Sequence, residues 1–349
     1  MDLFPGIEHK IKQGGRVDES EAAWLFENAS DEELKGLASI VKHRYHEGGI
    51  ATYLKMAIVN FTNICVARCD YCAFYKLPHE QGTYTLDEAG LLAKVRYWVE
   101  MGCTMIGFNA GFNPKLSLED YGRLFAKVKE EFPAIQLYEM TVAEFMFYCK
   151  KDKLSYLEGA QMMQSFGSKW IPGGGAEVLD ENFRDRHSPG KYKVKDYFTA
   201  QGDILSTGLR STATMCIGFD ETLTERLNHL RTLRLAQDQW QGAIPSFLCW
   251  TYKPYNTRFG GQEISTKEYL RWLAVCRIYL DNIKNIRTSV LTKNEDALIG
   301  LDYGANDFDL PTEDEVTVKA GAEISQDFEG VLNAGRKLGY TLIHRLPLV

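Results

Sequence analysis

Residues 60–75 of the chain read Asn60-Phe61-Thr62-Asn63-Ile64-Cys65-Val66-Ala67-Arg68-Cys69-Asp70-Tyr71-Cys72-Ala73-Phe74-Tyr75. This stretch contains three of the chain's 8 cysteines, spaced as C-x3-C-x2-C. At this cysteine content the spacing would arise in roughly 0.4% of shuffled chains, so it is a strong signal. Three cysteines on one loop can bind a single metal centre.

Two kinds of metal centre use such a loop. A structural zinc site takes four ligands, and no paired Cys or His follows to complete one; His79 is close but solitary. An iron-sulfur cube can be held by three thiolates while its fourth iron stays open for a substrate or cofactor. The candidate metal ligands Cys65, Cys69 and Cys72 therefore favour an iron-sulfur cluster, with zinc as the less favoured alternative.

The other five cysteines are isolated along the chain and lie mostly in apolar surroundings. We predict that each is a small buried core residue and not a ligand. A disulfide framework is not expected, because we expect a cytoplasmic protein, whose thiols are kept reduced. These five residues are Cys103, Cys149, Cys216, Cys249 and Cys276.

Outward from the cysteine loop, short apolar or β-branched runs alternate with longer amphipathic stretches. This alternation predicts βα units in a parallel sheet, and at 349 residues it favours an α/β fold of the (βα)8 TIM-barrel type. An open doubly wound sheet is the alternative, although no G-x-G-x-x-G follows the first strand. The predicted strands cover residues 53–61, 104–109, 135–141, 169–172, 210–217, 245–252, 286–291 and, weakly, 303–308; the predicted helices cover residues 86–101, 118–132, 195–207, 223–239 and 267–282.

The domain organisation follows from the same pattern. Residues 1–50 show two capped amphipathic segments and are predicted to form a helical extension at the amino terminus. Residues 51–325 form the predicted barrel, and residues 326–349 a helical or extended segment at the carboxyl terminus. Active sites of such barrels lie on the loops that leave the carboxyl ends of the strands, and the polar and glycine-rich loops of this chain fall there.

The cysteine loop resembles the signature of radical S-adenosylmethionine (radical SAM) enzymes. In that superfamily the three cysteines hold a [4Fe-4S] cluster, SAM binds its open iron, and one-electron reduction releases a 5′-deoxyadenosyl radical. Further stretches resemble the group that contains dehypoxanthine futalosine cyclase, aminofutalosine synthase and the F420-precursor synthases, and most of all the cyclase. They are Ile171-Pro172-Gly173-Gly174-Gly175-Ala176-Glu177, Ser188-Pro189, Thr212-Ala213-Thr214-Met215, Trp250-Thr251-Tyr252-Lys253-Pro254-Tyr255-Asn256-Thr257, Leu280-Asp281-Asn282-Ile283 and Gly304-Ala305-Asn306-Asp307.

The resemblance implies roles for individual residues. Residues expected to contact SAM are Tyr71, Asn109, Gly111, Thr141, Glu144, Gly174 and Glu177. Candidate catalytic carboxylates are Glu177, Asp220 and Glu221, in the loops after the fourth and fifth predicted strands. Simpler interpretations stay open: Glu144 and Glu177 as helix caps, Tyr71 as a core residue and the glycine run as a tight turn. Candidates for pairing with a substrate carboxylate are Arg184, Arg186, Lys253, Arg258 and Arg287.

The implied reaction is a carbon-carbon bond-forming cyclisation of dehypoxanthine futalosine in menaquinone biosynthesis, with a one-electron reductant such as flavodoxin or ferredoxin. Three departures from the family pattern favour a paralogue with another nucleoside or aromatic substrate as the alternative. Asn113-Pro114-Lys115 stands for His-Pro-Asp, Phe219 stands for the histidine of a Gly-His-Val-Glu-Thr turn, and Lys55-Met56-Ala57-Ile58 replaces an Asp-Arg. A non-catalytic iron-sulfur protein is a further, less favoured alternative.

Composition and charge limit the partners. The formal net charge of −7 and the scattered basic residues argue against nucleic acid as a partner, and so against a tRNA-modifying enzyme. No apolar run approaches the roughly 20 residues that span a bilayer, and Met1-Asp2-Leu3-Phe4-Pro5 is unlike an export signal. We therefore expect a cytoplasmic protein with no membrane partner; the small nucleoside-like substrate is what the resemblance implies, and the oligomeric state is not predicted.

Overall fold

The computed structural model describes residues 2–311, 315–325 and 327–346. In this part of the chain short parallel strands alternate with helices, and a 3₁₀ helix covers Asn294–Leu301. The strands are β1 Ile50–Val59, β2 Met105–Phe108, β3 Gln136–Tyr138, β4 Ala213–Ile217, β5 Ser246–Thr251, β6 Asn285–Thr288, β7 Asp307–Pro311 and β8 Thr341–His344. The helices are α1 Phe4–Lys12, α2 Glu19–Asn28, α3 Asp31–Lys42, α4 Glu88–Glu100, α5 Leu118–Glu131, α6 Val142–Asp152, α7 Tyr156–Ser165, α8 Glu181–His187, α9 Val194–Ser206, α10 Leu223–Gln239, α11 Thr266–Tyr279, α12 Val290–Lys293, α13 Glu315–Lys319 and α14 Phe328–Lys337.

The sheet is parallel and runs in the order β3-β2-β1-β7-β6-β5-β4. Strand β1 is central: Met56 pairs with Met105 of β2 on one edge and with Pro311 of β7 on the other. Strand β8 pairs with residues 50–53 of β1, on the edge that β2 takes up at residue 56. Because all pairings are parallel, the carboxyl ends of the strands meet at one end of the sheet, where barrel enzymes carry their active sites.

The gap between β3 and β4 is closed by a few single contacts around residues 169–171. The backbone N–H of Glu139 donates to the carbonyl of Trp170 at 3.3 Å, and Ile171 donates to Arg210 at 2.9 Å. The buried Glu139 carboxyl accepts from the backbone N–H groups of Lys169 and Trp170, each at 3.0 Å. Burial outweighs these bonds and raises the pKa of Glu139 to about 8. The Glu139 carboxyl therefore takes the place of strand-to-strand hydrogen bonds at the point where the curved sheet closes into a barrel.

The barrel interior has an apolar layer with an ionic layer beneath it. Leu54, Met56 and Ile58 alternate along β1 and lie in one apolar cluster with Tyr138 and Trp170. Below them Asp307 accepts from the Nε of Arg345 at 2.7 Å and pairs with Arg287 at 3.2 Å; Arg287 also pairs with Asp309. Two arginines and two aspartates balance in charge, which is what burial of ionised groups requires. This floor leaves the upper half of the barrel open for ligands.

The amino-terminal helices pack on the outside of the barrel. Ile7, Leu25 and Leu37 share one apolar cluster with Trp272 of α11. Capping boxes fix the starts of α2 and α3: Asp18 with Glu21, and Ser30 with Glu33. Such caps stabilise a helix start by about 1 kcal/mol. None of the helices in the described residues combines the length and the apolar character that crossing a bilayer requires.

The structure confirms the alternating α/β pattern and shifts several predicted boundaries. Residues 60–61 leave β1 and belong to the loop that carries the cysteines. The predicted strand 169–172 contributes only the single bridge between Trp170 and Arg210. The predicted strand 303–308 is displaced to Asp307–Pro311, because residues 302–304 form the turn after the 3₁₀ helix. Helices α6, α7, α8, α12 and α13 were not predicted. Helix α14 and strand β8 lie in the last segment, which was predicted to be helical or extended; its residues 326 and 347–349 lie outside the described residues.

Candidate functional site

A cavity of about 260 Å³ opens at the carboxyl end of the sheet. Its wall includes Cys65, Cys69 and Cys72 from the loop after β1. The loops after β2 and β3, the glycine turn (residues 173–177) and α13 contribute further wall residues. All seven residues that we predicted to contact SAM line this cavity: Tyr71, Asn109, Gly111, Thr141, Glu144, Gly174 and Glu177.

Backbone contacts shape the cysteine loop. Cys65 donates its N–H to the carbonyl of Lys76 at 3.0 Å, and Cys72 donates to Cys69 at 3.3 Å. Gly111 of the neighbouring loop lies so close that a Cβ atom there would be 2.2 Å from the carbonyl oxygen of Ile64. Only glycine permits this approach, so Gly111 fixes the loop after β2 against the cysteines.

The donor set of the cavity fits an iron-sulfur cube. Cys65, Cys69 and Cys72 bring three thiols to the wall of one cavity, and such a cube can be held by three thiolates. Burial raises the pKa of Cys72 to about 12, and a positively charged metal centre is the group that deprotonates such a thiol.

His187 ties the cysteine loop to the loop after β4. Its Nδ1 lies 3.0 Å from Oδ2 of Asp70, between the second and third cysteines, and its Nε2 lies 2.8 Å from Oδ1 of Asp220. The backbone of Asp70 also donates to the carbonyl of His187 at 3.3 Å. The His187 side chain is 4% exposed. The buried histidine therefore links the loop that carries the three thiols to the loop after β4 by hydrogen bonds.

Glu144 joins a helix cap to the cavity wall. Its carboxyl accepts from the N–H of Ala110 at 3.1 Å and from the N–H and hydroxyl of Thr141 at 3.0 and 2.6 Å. The helix-cap interpretation is thus confirmed for Glu144, which completes the capping box of α6. Burial raises the pKa of Glu144 to about 7 in spite of these bonds. A carboxylate has lone pairs beyond the three it uses here, so it can still accept from a ligand amino group.

Glu177 and Lys191 form a buried ion pair on the cavity wall. The Lys191 Nζ lies 3.0 Å from Oε2 of Glu177, 3.1 Å from the carbonyl of Gly175 and 3.3 Å from the Tyr71 hydroxyl. Burial lowers the pKa of Lys191, but the neighbouring acidic groups, Glu177 foremost, together outweigh burial and the net shift of the pKa is upward. Lys191 therefore stays charged, and it connects the glycine turn to the cysteine loop.

In the glycine turn the backbone lies close to neighbouring segments of the chain, and two of its residues have positive φ angles. A Cβ atom at Gly173 would lie 2.1 Å from the carbonyl oxygen of Thr212, and Gly175 has φ +78°. Glu177 also adopts a positive φ, 46°, which is uncommon for a residue with a side chain. Arg184 holds the turn from behind by donating to the carbonyls of Ala176 and Tyr192, each at 3.1 Å.

The structure does not bring Asp220 and Glu221 to the cavity. Glu221 is buried and accepts from the N–H groups of Gly218 and Phe219 and from Arg226, all at 2.8 Å. Asp220 accepts from Arg186 at 3.0 Å and faces His187, and its side chain is 48% exposed. Both carboxylates organise the loop after β4 and lie apart from the cavity wall.

The predicted partners of a substrate carboxylate are also engaged elsewhere. Arg184 donates to the two carbonyls named above, Lys253 pairs with Glu263 at 2.6 Å, and Arg258 donates to the carbonyl of Arg68 at 2.6 Å. Arg186 pairs with Glu225 at 2.7 Å, and Arg287 lies in the ionic floor. None of these five side chains lines the cavity.

Sequence reasoning missed Lys191, although the neighbouring Ser188-Pro189 had been singled out. In the described residues Lys191 is the one basic side chain on the cavity wall. Cys216, predicted to be a core thiol, is partly exposed and lines the cavity from β4, so that prediction was wrong. The other four predicted core thiols are buried: Cys103, Cys149, Cys249 and Cys276.

A family model and the most similar curated sequences point to the same group of proteins. Residues 241–346 match the family model described as "CofH/MqnC C-terminal region". The chain is 32% identical to a cyclic dehypoxanthine futalosine synthase of Halalkalibacterium halodurans, over 96% of this chain and 91% of the relative. It is 33% identical to the Streptomyces coelicolor protein of the same name, over 97% and 86%. An aminodeoxyfutalosine synthase of Thermus thermophilus is 32% identical, over 93% and 88%.

Solved structures share the fold at low sequence identity. Methylornithine synthase (PylB) has a TM-score of 0.73 and 17% identity, covering 97% of this chain and 98% of its own. HydG, a maturase of the [FeFe]-hydrogenase, has a TM-score of 0.74 and 15% identity, covering 97% of this chain and 75% of its own. These likenesses support the α/β barrel architecture.

Proposed function

The chain belongs to the family that contains cyclic dehypoxanthine futalosine synthase and aminodeoxyfutalosine synthase, and we propose that it is a radical SAM enzyme that cyclises dehypoxanthine futalosine in menaquinone biosynthesis. The observation that supports this most is the placement of three thiols on the wall of one cavity with Glu144, Glu177 and Lys191. A [4Fe-4S] cluster and SAM bound there would supply one-electron radical chemistry.

In this proposal Cys65, Cys69 and Cys72 hold the cluster. Tyr71, between the second and third of these cysteines, packs against Phe219 with ring centroids 5.3 Å apart, and its hydroxyl accepts a hydrogen bond from Lys191. Phe219 stacks in turn on Tyr252, with ring centroids 4.4 Å apart. These aromatic side chains keep water away from the loop, which protects a reactive radical from side reactions.

Opposite charges on the cavity wall match those of SAM. Its amino group and sulfonium are positive and its carboxylate is negative. We assign the amino group to Glu144, beside the Asn109-Ala110-Gly111 turn, and the carboxylate to Lys191. Glu177 holds Lys191 in place and balances part of its charge. A flavodoxin or ferredoxin supplies the electron, and the aromatic nucleoside enters beside SAM.

The test is anaerobic reconstitution with iron and sulfide, followed by reaction with reductant, SAM and dehypoxanthine futalosine. Mass spectrometry should find 5′-deoxyadenosine together with a product two hydrogens lighter than the substrate. Cys69→Ala should yield neither compound. Failure of the reconstituted wild-type protein to form 5′-deoxyadenosine would refute radical SAM chemistry.

A second candidate function is the same chemistry on a different small substrate. The observation that favours it is Phe219 on the cavity wall, an apolar ring where the resemblance expects a histidine. An apolar residue there changes which polar groups the site can pair, and such sites reject altered substrates strongly. Formation of 5′-deoxyadenosine without a cyclised futalosine product would favour this candidate over the first.

A further inference from the structure

The outer side of the cysteine loop is exposed and basic. Arg68 is exposed, although the next residue, Cys69, is buried. Arg258 is exposed as well; it donates to the carbonyl of Arg68 at 2.6 Å and lies over the Tyr75 ring, 5.7 Å from its centroid. Two arginine side chains therefore reach solvent beside the loop that carries the three thiols.

Helix α13 extends this exposed surface. The Nζ of Lys319 lies 5.1 Å from the ring centroid of Phe74 in the cysteine loop, and the Lys319 side chain is 40% exposed. Asn256 donates to the carbonyl of Lys319 at 2.9 Å. The loop after β5, which also carries Arg258, therefore holds α13 beside the cysteine loop.

Two large apolar side chains lie on the same segments as these cations. Tyr255 is 55% exposed and Val318 is 48% exposed. The backbone N–H of Tyr255 donates to the carbonyl of Ala320 at 3.2 Å, which joins the two segments. Exposed Tyr and Arg side chains are typical of protein-protein interfaces. We call the surface formed by five of these residues the basic face: Arg68, Tyr255, Arg258, Val318 and Lys319.

The carboxylates of the three segments leave the charge of the basic face largely uncancelled. Residues 65–76, 253–263 and 315–319 contain one carboxylate each. Each is engaged by a side chain outside the basic face: Glu263 by Lys253 at 2.6 Å, Glu315 by Lys94 at 3.3 Å and Asp70 by His187 at 3.0 Å. Glu315 also lies 3.8 Å from Lys319. Among the residues that the structure describes, Arg68 and Arg258 have no carboxylate partner.

The proposed function requires an electron from outside the chain. That electron enters from the protein surface, and Arg68 is an exposed residue directly next to Cys69. The chain has a formal net charge of −7, so its average field repels an acidic protein. A local basic face attracts such a protein to one place and fixes its orientation there.

We propose that the basic face is the docking surface for a small acidic one-electron carrier protein, whose carboxylates pair with Arg68, Arg258 and Lys319. This inference rests on the proposed function and adds the place where the reductant binds. In the docked complex the carrier loses one electron and the cluster gains it; no bond forms or breaks, and no proton moves.

The experiment compares Arg68→Asn/Lys319→Gln with wild type, both reconstituted anaerobically. Asn tolerates the positive φ of 57° at residue 68, so the substitution removes the charge and retains the loop conformation. Isothermal titration calorimetry at low salt measures the Kd of a flavodoxin, which is an acidic carrier. We expect this Kd to rise about 10-fold in the double variant, and the Kd of SAM to stay unchanged.

The matched control is Lys127→Gln/Lys150→Gln, which removes the same charge. Both lysines are exposed and lie in the carboxyl-terminal halves of α5 and α6. Because the helices of such a barrel run back against the strands, these positions lie at the end opposite to the cavity. The control should bind flavodoxin as wild type does.

Two reductants separate docking from the radical chemistry. Dithionite is a small ion that needs no protein interface, so 5′-deoxyadenosine formation with dithionite should be equal in all three proteins. With subsaturating reduced flavodoxin, the rate should fall about 10-fold in the double variant only. Between about 0.01 M and 1 M salt the screening length falls from roughly 30 Å to 3 Å, so salt should weaken flavodoxin binding more in wild type than in the double variant.

The outcomes that overturn the docking surface are distinct from failure of the proposed function. A double variant that binds flavodoxin as tightly as wild type, an equal loss in the control, or binding that salt does not weaken overturns the proposal. If Arg68→Asn disturbs the cluster, Lys319→Gln alone must still raise the Kd of flavodoxin. Wild-type protein that forms no 5′-deoxyadenosine with either reductant refutes radical SAM chemistry, and calorimetry still decides where the carrier binds.

Discussion

The Nζ of Lys191 lies 3.0 Å from the Oε2 of Glu177, and the two side chains are only 8% and 17% exposed. The pair places a fixed positive charge on a wall whose other charged groups are carboxylates. Since Lys191 also reaches the hydroxyl of Tyr71, it links the glycine turn to the cysteine loop. A ligand carboxylate that enters the cavity meets this one ammonium group.

Replacing Lys191 should weaken SAM binding. Loss of a charge-assisted hydrogen bond predicts that Lys191→Met raises the Kd of SAM roughly 10- to 100-fold in the reconstituted protein. Lys193→Met is the matched control, because Lys193 is 59% exposed and pairs with Asp185. The double variant Lys191→Met/Glu177→Gln separates the lost contact from the stranded Glu177 charge. Recovery of affinity in the double variant would contradict the assignment of the carboxylate to Lys191.

Iron content should distinguish the ligands from the other cavity thiol. Cys65, Cys69 and Cys72 share one loop, whereas Cys216 lines the cavity from β4. We expect Cys69→Ala to lose the cluster and Cys216→Ala to retain about as much iron and sulfide as wild type, measured after anaerobic reconstitution. Loss of the cluster in Cys216→Ala would show that a fourth thiolate takes part.

The stability of the fold should depend on pH through His229. Its ring accepts a hydrogen bond from Leu179 and is fully buried, and burial lowers its pKa to about 3. Between pH 6.5 and 3 the unfolded chain binds a proton that the folded chain does not, so stability falls as the pH falls. From pH 7 to pH 5 this histidine alone should cost about 2 kcal/mol.

Denaturant unfolding at both pH values measures the effect. His229→Gln keeps an acceptor for Leu179 and cannot titrate, so its stability should fall less with pH than that of wild type. The exposed His79 serves as control, and His79→Gln should follow the wild-type dependence. Equal pH dependence in wild type and His229→Gln would count against a neutral buried histidine.

The glycine turn should tolerate no side chain at Gly175. Its φ is +78°, and a Cβ atom there would lie 2.4 Å from the Cβ of Ala143. Gly175→Ala should therefore cost roughly 2 to 4 kcal/mol from backbone strain and overpacking together. Gly14 has φ +80°, and a Cβ atom there would meet nothing within 4 Å, so Gly14→Ala should cost only the backbone part. Urea unfolding of both variants compares the two costs, and equal losses would show that Ala143 moves aside.

The parts of the site that are close in sequence could be predicted, and the parts joined by folding could not. The three thiols lie within eight residues, so their spacing alone indicates a shared ligand role. Lys191 and Glu177 are fourteen residues apart and meet only because the chain reverses direction around α8. No local sequence pattern predicts that reversal. Glu221 is a different case: the resemblance implied a catalytic role, but its carboxylate accepts from Arg226 in the first turn of α10 and does not line the cavity.

Secondary structure could likewise be predicted where the local sequence encodes it, and not where tertiary contacts decide it. The apolar and β-branched run of β1 predicted its strand, and the cap at Ser117 marks the start of α5. Residues 169–172 have the composition of a strand, yet the Glu139 carboxyl occupies the N–H groups that a neighbouring strand would use. The residues of α6 are mostly buried, so this helix lacks the polar face that makes an amphipathic pattern visible.

The contact between Glu139 and residues 169–170 has a consequence for how the barrel opens. Elsewhere the wall is joined by ladders of several hydrogen bonds, and a ladder opens only when many bonds break together. At this seam a single carboxyl and isolated backbone bonds hold the two edges, so amide hydrogens of residues 169–171 should exchange with solvent sooner than those of β1. Thr141 and Gly174 flank the seam on the cavity wall. A ligand that contacts both residues would hold the two chain segments together and slow the exchange of these amide hydrogens.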